Sequence, residues 1–428
     1  MEYPMRQIIS TCSVSFRPQS LCKIVMENPF DHPYYRITKY GLQFIGHWPF
    51  QSAKRKRFLR MSTLLIVSTI FIPKVIKFIE SLNDLDIVCE CVPILGCHLI
   101  AFTKFMNLTI VEDQMRNLLL SIERDWREMK LKCDIELLHI YSERARRINL
   151  FYATTIYIVV GIYFCSPAVP KVLDYFKPLN ESRPRIFLYQ TEYFIDQEKY
   201  YIYILIHAYV TVSICLGVIV VFDNLFATFI NHACGMFEIL KPFPTYFRLH
   251  LETLHVKDYT HDPRPPKMIS DHFEITINEI KRCSGLQTQN LKFVEELESS
   301  CNMGLLIIVG INMLAILFTG IVAVIKVSSP NEMIRFAFIC FGLICCLFWI
   351  SWLGHILIVQ SETVFISAYQ SEWYLMPYKL QLMIIPVMMR SLKPCRLTAG
   401  KCYVMSMESF GAALRTVLSF FMVFNSMR

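Results

Sequence analysis

Ionisable and hydroxyl-bearing side chains set inside apolar runs are where this chain carries chemistry that needs explaining. The last such run, Met405 to Met427, reads MSMESFGAALRTVLSFFMVFNSM. Laid on a helix at ~100° per residue, it places Met405, Ser409, Ala412, Thr416, Ser419, Val423 and Met427 in one stripe. Phe410, Leu414, Val417, Leu418, Phe421 and Phe424 fall on the opposite face. A stripe that is small and hydroxylated, then apolar at its end, suits close helix packing in a membrane or a water-lined pore. Arg415 and Glu408 sit on one flank, where an ionised group is costly enough to point to function. A rise of ~10 Å between them strains a direct bond. Glu90 and His98 share an earlier apolar run and could face a polar cavity, but two such groups make neither a proton relay nor a metal site. Asp223 closes another run and is expected to be solvated or salt-bridged.

Enzyme chemistry finds no footing. HExxH, GxGxxG, P-loop and GxSxG elements are absent, and His261-Asp262 lies in a Pro-rich stretch without plausible partners. No catalytic residue, metal site or cofactor is expected. The sixteen cysteines form no CxxC pair and read mainly as small buried hydrophobes.

These residues must be positioned by helices that cross a membrane. The 428 residues are 54% hydrophobic and 18% charged, with a mean hydropathy of +0.39; soluble domains carry about a quarter charged residues. Residues 1–50 are polar and lack the apolar core of a signal peptide. Apolar runs predict spans at about 58–80, 86–106, 148–167, 200–226, 302–326, 333–360 and the final stretch. The pattern is an all-α membrane protein with seven transmembrane helices. Residues 168–198 read as a polar loop. Leu380 to Met389 is too short to span. The positions Met115, Leu118, Leu119, Ile122 and Trp126 follow a helical period in a charged amphipathic stretch.

The net charge of +8 requires no nucleic-acid partner, because Lys and Arg gather on the cytoplasmic side of membrane proteins. The segments up to Arg60, 104–147, 224–300 and 379–401 hold 32 of the 43 basic residues. They alternate correctly only with a cytoplasmic N-terminus and an extracellular C-terminus. The sequon at Asn107 then lies inside and the one at Asn180 outside, making Asn180 the glycosylation candidate. A G-protein-coupled receptor would invert this, and a transporter would show internal pseudo-symmetry.

Several stretches carry a family likeness. They are GLQFIGHWPF at 41–50, SIERDW at 121–126, SGLQTQNLKFVEELESS at 284–300 and above all the end of the chain. There the landmarks are Trp373-Tyr374, Met389-Arg390-Ser391, Lys393-Pro394, Leu397-Thr398-Ala399-Gly400 and Ser406-x-Glu408-x-Phe410. Together they resemble the insect odorant receptor family over almost the whole chain. Gln287 stands where many members carry His. The chain resembles a ligand-specific tuning subunit, being shorter than the family's co-receptor. Gustatory receptors share the architecture with a looser match.

The resemblance implies an odorant-gated, non-selective cation channel in the plasma membrane of sensory neurons, assembled as a heterotetramer with the odorant receptor co-receptor and surrounded by membrane lipid. It implies a cytoplasmic segment at 1–57 with a short pre-membrane helix. Helices one to six follow at 58–360, with cytoplasmic extensions at 104–147 and 227–300. An anchor segment at 361–398 leads to a pore-lining helix at 399–428. Val423 and Met427 align with the family's apolar gate, with Ser419, Thr416 and Ser409 lining the path. Arg415 would reach a neighbouring subunit or the vestibule. A small volatile odorant would bind in the outer half of the bundle, for which the candidates are Val88, Cys91, Tyr157, Gly161, Phe164, Tyr203, His207, Phe338 and Phe341.

Overall fold

Long apolar runs build long helices, because a backbone buried in lipid must satisfy its own hydrogen bonds. The structure, a computed structural model, describes residues 29–129, 131–176, 185–189, 191–241, 267–326, 329–371, 373–375 and 377–427. A short α1 (Pro33–Phe44) precedes α2 (Ala53–Glu80), α3 (Leu85–Ile110), α4 (Glu112–Glu128) and α5 (Lys132–Cys165). Then comes the short α6 (Val169–Phe176), followed by α7 (Tyr201–Leu240), α8 (Lys267–Ile325), α9 (Pro330–Tyr369) and α10 (Tyr378–Ser391). A hairpin of β1 (Thr398–Ala399) and β2 (Tyr403–Val404) leads into α11 (Met407–Met427). Among the described residues, seven helices are long and apolar enough to cross a membrane: α2, α3, α5, α7, α8, α9 and α11.

Several spans run well past a bilayer. The 40 residues of α7 and the 59 of α8 measure about 60 and 90 Å, against ~30 Å of hydrocarbon. Their surplus turns pack with α1, α4 and α10 into an extension layer at one end of the bundle. The Met115 to Trp126 part of the amphipathic stretch forms the separate α4, whereas its remainder from Lys132 runs into the third span as one continuous α5, and α8 likewise joins the fifth span to the helix before it. The expected loop at 168–198 begins with α6. Pro386 does not interrupt α10, whose Leu380, Ile384 and Met388 bury against Ile280 and Ala368. Trp373 packs on this cluster, whereas Tyr374 is exposed.

The second half of α7 runs through the core of the chain. Sequence pattern ends the fourth span near 226, yet every residue from Phe222 to Leu240 is buried. Its polar groups tolerate this because most have partners. Asn149 Nδ2 donates to Asn224 O and Thr228 Oγ1, at 3.2 and 3.1 Å. His232 Nε2 meets Asp125 Oδ2 at 2.9 Å. Tyr141 donates to Glu238 at 2.9 Å, and Gln360 donates to the same carboxylate. Asn107 is also buried, with Nδ2 directed at Ser300 O and its amide filling the space that a side chain at Gly304 would need. A glycan has no room there.

α1 ends in a left-handed Gly46, φ 75°, with the His47 amide donating back to Leu42 O at 2.8 Å. This is a Schellman-type stop, and it aims His47 into the fold. The buried ring is neutral, with Nδ1 donating to Ile45 O at 3.0 Å and Nε2 accepting from Thr109 at 2.9 Å. Burial first, then the nearby Arg60 cation, push its pKa down from 6.5 to about 3. A base whose folded pKa is depressed stabilises fully above its unfolded value, and that stability is lost as pH falls from 6.5 towards 3. Moving from pH 7.5 to 5.0 should therefore cost about 2 kcal/mol through this group. Thermal unfolding in detergent at both pH values measures it. The pH-dependent loss should shrink by that amount in His47→Gln, and an equal loss in both proteins would refute the assignment.

Candidate functional site

Away from the extension layer, α2, α3, α5, α7, α8 and α9 splay around a cavity of about 150 Å³. Its wall is mostly apolar: Ile94 and Ile100 from α3, Ile156 and Val159 from α5, Val212, Leu216 and Ile219 from α7, and Phe338, Ile339 and Leu343 from α9. The polar residues are few: Lys74 from α2, His98 from α3, Tyr163 from α5, Asn312 from α8 and Tyr189 from the segment before α7, together with the thiols of Cys97, Cys215 and Cys346. An apolar cavity with a few convergent polar groups is the usual form of a small-molecule site.

The segment before α7 closes the end of this cavity. Tyr163 OH donates to Leu188 O, Tyr201 OH donates to Ile186 O at 2.9 Å, and the Glu192 amide donates to Pro73 O at 3.2 Å. These ties hold Tyr189 over Lys74, whose Nζ lies 3.5 Å from the ring centroid. A second cavity of about 230 Å³ shares Tyr189 and is polar, lined by Glu90, Arg185, Lys326, Glu332 and Arg335. Glu90 pairs with Lys326 at 2.6 Å and Glu332 with Arg335 at 2.7 Å. Glu90 and His98 thus serve two different cavities.

Below the apolar cavity lies a buried ion pair. Lys104 Nζ donates to both oxygens of Asp223, at 2.6 and 2.7 Å, with side-chain exposures of 1% and 0%. Tyr152 OH donates to Asp223 Oδ2 at 2.6 Å, stacks on Trp349, and lies 3.7 Å from Cys346 of the cavity wall. Asp223 is salt-bridged, but in the core rather than at a solvated helix end. The pair joins α3, α5 and α7, and the stack carries it to α9.

Of the nine sequence-derived ligand candidates, Phe338 lines the cavity. On α5 the lining residues recur as Ile156, Val159, Val160 and Tyr163. Tyr157, Gly161 and Phe164 each stand one residue further on, ~100° around the helix. Tyr157 is exposed, Gly161 borders open space, and Phe164 packs on Tyr209 instead. Tyr203 precedes Val212 by nine residues, half a turn out of phase, and is 73% exposed. His207 bridges Thr69 at 2.9 Å and Tyr193 at 3.0 Å, tying α2 to α7. Phe341 faces outward, Val88 is half-buried, and Cys91 is buried one turn short of the lining. Lys74 was missed by sequence reasoning, although a lysine inside an apolar span is itself a signal.

α11 attaches by one side. Ala413 and Val417 are buried, and Phe410 and Phe421 pack towards α9 and α8. Ala412, Thr416, Ser419 and Val423 are exposed on the other side, with Ser409 half-buried. The side chain of Met427 and all of Asn180 lie outside the described residues. Arg415 and Glu408 are exposed, and no ion pair engages either among the described residues. Ser406 caps the helix, its Oγ accepting from the Ser409 amide at 3.1 Å. The hairpin before it is wedged in place: Asn302 Nδ2 donates to Thr398 at 2.9 Å, and the Gly400 amide donates to Asn302 O at 3.2 Å. Gly400, at φ 61°, has Leu306 where a side chain would stand.

The 7tm odorant receptor family profile matches residues 85–418. Among curated proteins, none matches the chain in sequence. Solved structures that share the fold include two of the olfactory receptor OR5 from the insect Machilis hrabei. The one in complex with eugenol has a TM-score of 0.72 at 11% identity, covering 92% of this chain and 97% of the other. The second has a TM-score of 0.70 at 11% identity, covering 92% and 98%.

Proposed function

This chain belongs to the 7tm odorant receptor family, and from that premise we propose that it is an odorant-gated, non-selective cation channel subunit. The observation that carries the proposal is the last helix. Its Thr416, Ser419 and Val423 stripe turns away from the chain that holds it, while Phe410 and Phe421 pack towards α9 and α8. A stripe presented outward is available to surround an axis shared with neighbouring subunits. Val423 and Met427 would form its apolar constriction, which gates by dewetting. Arg415 would reach the neighbouring subunit or the water-filled vestibule.

The co-receptor of the family is the proposed partner in a heterotetramer, in the plasma membrane of sensory neurons. The OR5 structure was solved with eugenol; here a small volatile odorant would occupy the apolar cavity. It would open the pore in proportion to its preference for the open arrangement. Cells expressing this chain with the co-receptor, and no added G protein, should show odorant-evoked cation current across a volatile panel. Current that requires a supplied G protein would overturn the reading.

The bias of Lys and Arg supports a cytoplasmic extension layer and N-terminus. Asn180 then lies outside and should carry glycan. Asn180→Gln should abolish the mass shift seen on endoglycosidase treatment, whereas Asn107→Gln should leave it intact. Because Asn107 is buried, Asn180 is the informative sequon, and an unglycosylated Asn180 would argue for the inverted topology.

A further inference from the structure

Burying an ammonium without a counter-charge costs several kcal/mol, and charged groups within a membrane bundle are normally paired. Lys104 obeys this through Asp223. Lys74 does not. It is 2% exposed, and its Nζ meets the His98 ring, 3.3 Å from both nitrogens, and the Tyr189 face. His98 Nδ1 already donates to Ile94 O at 2.9 Å, leaving Nε2 as an acceptor for one ammonium proton. Among the described residues no carboxylate reaches Lys74. Tyr189 adds a second open donor, because its buried hydroxyl has no hydrogen-bond partner.

We infer that the ligand class of this cavity is a small carboxylic acid, bound as its carboxylate, with Lys74 as counter-ion and the Tyr189 hydroxyl as a second donor. The inference rests on the reading of the cavity as the odorant site. A neutral carbonyl would leave the charge uncompensated, and an amine would add like charge. A carboxylate cancels the charge and offers an oxygen to each donor, in charge-assisted bonds stronger than neutral ones. The rest of the wall is apolar. Dry cavities of about 150 Å³ accept a benzene-sized guest, which sets a tail of about six carbons. The adjoining polar cavity presents three basic and two acidic side chains, and Arg335 Nε there has no partner.

The test compares hexanoic acid with methyl hexanoate, hexanal and hexanol. Currents are recorded from cells co-expressing the chain with the co-receptor, and thermal shift is measured on the purified chain. The unmodified chain should respond to the acid at a concentration at least about tenfold below that for the neutral ligands, equivalent to about 1.4 kcal/mol. Lys74→Met should lose that preference while keeping its neutral-ligand responses, which also show that the variant folds. Tyr189→Phe should fall between. Equal potency of acid and ester, or undiminished acid sensitivity in Lys74→Met, overturns the inference. Hexanal outranking the acid also overturns it. Acid that stabilises the chain through Lys74 but evokes no current would uphold the inference and sink the channel proposal. Currents from neutral odorants with no acid response would do the reverse. No thermal shift and no current with any acid overturns the inference.

Discussion

Asp223→Ala should cost the bundle about 3–5 kcal/mol, because it strands the Lys104 ammonium in the core. The carboxylate accepts from Lys104 with both oxygens and from Tyr152 with one, so three donors lose their acceptor at once. The pair joins α3, α5 and α7 beneath the cavity, and its loss should loosen the helices that the ligand must distinguish. The expected readout is a lower melting temperature in detergent and a shift from monodisperse to aggregated elution. Lys104→Met combined with Asp223→Leu removes the charge along with its partner, and replacing a buried pair by apolar groups of similar volume is often neutral. The double variant should recover most of the loss. A single variant that melts with the unmodified protein, or a double variant no better than the single, would show that the pair does not carry this burden.

Val423→Asn should raise the resting, ligand-free conductance of channels containing this subunit by about tenfold, a shift of about 1.4 kcal/mol between closed and open. An apolar constriction excludes ions by shedding water, and an amide at that level re-wets it. Val423 is 55% exposed on the free face of α11, so the substitution leaves the packed face intact. Leu418→Asn is the control. Leu418 is also exposed, but it lies off the stripe and should leave resting current unchanged at matched surface expression. Equal leak from the two variants, or none from Val423→Asn, would remove Val423 from the gate.

The contrast between these two sites shows where sequence reading reaches its limit. Six of the seven stripe residues were legible because they share one helix at a regular angular spacing, whereas Met405 lies before α11 and is buried. The nine ligand candidates were chosen by depth, which follows from counting residues along an apolar run. Depth alone does not fix facing. A candidate such as Tyr157 stands one position from Ile156, and that single step turns it ~100° away from the cavity. Which face turns inward depends on packing against neighbours far away in the chain.

Seven helical spans and the odorant receptor signatures could all be read from local pattern, because span length, helical period and short motifs are properties of contiguous residues. Folding alone decided the rest. The continuous run of α7 into the core depends on Asn149, Asp125 and Tyr141, brought from other helices to satisfy its polar groups. Asp223 found its partner 119 residues away, and Lys74 was left in the cavity wall with His98 and Tyr189 but, among the described residues, no carboxylate. Burial and pairing are relations between distant residues, and a charge buried without a partner becomes visible only once the chain has closed around it.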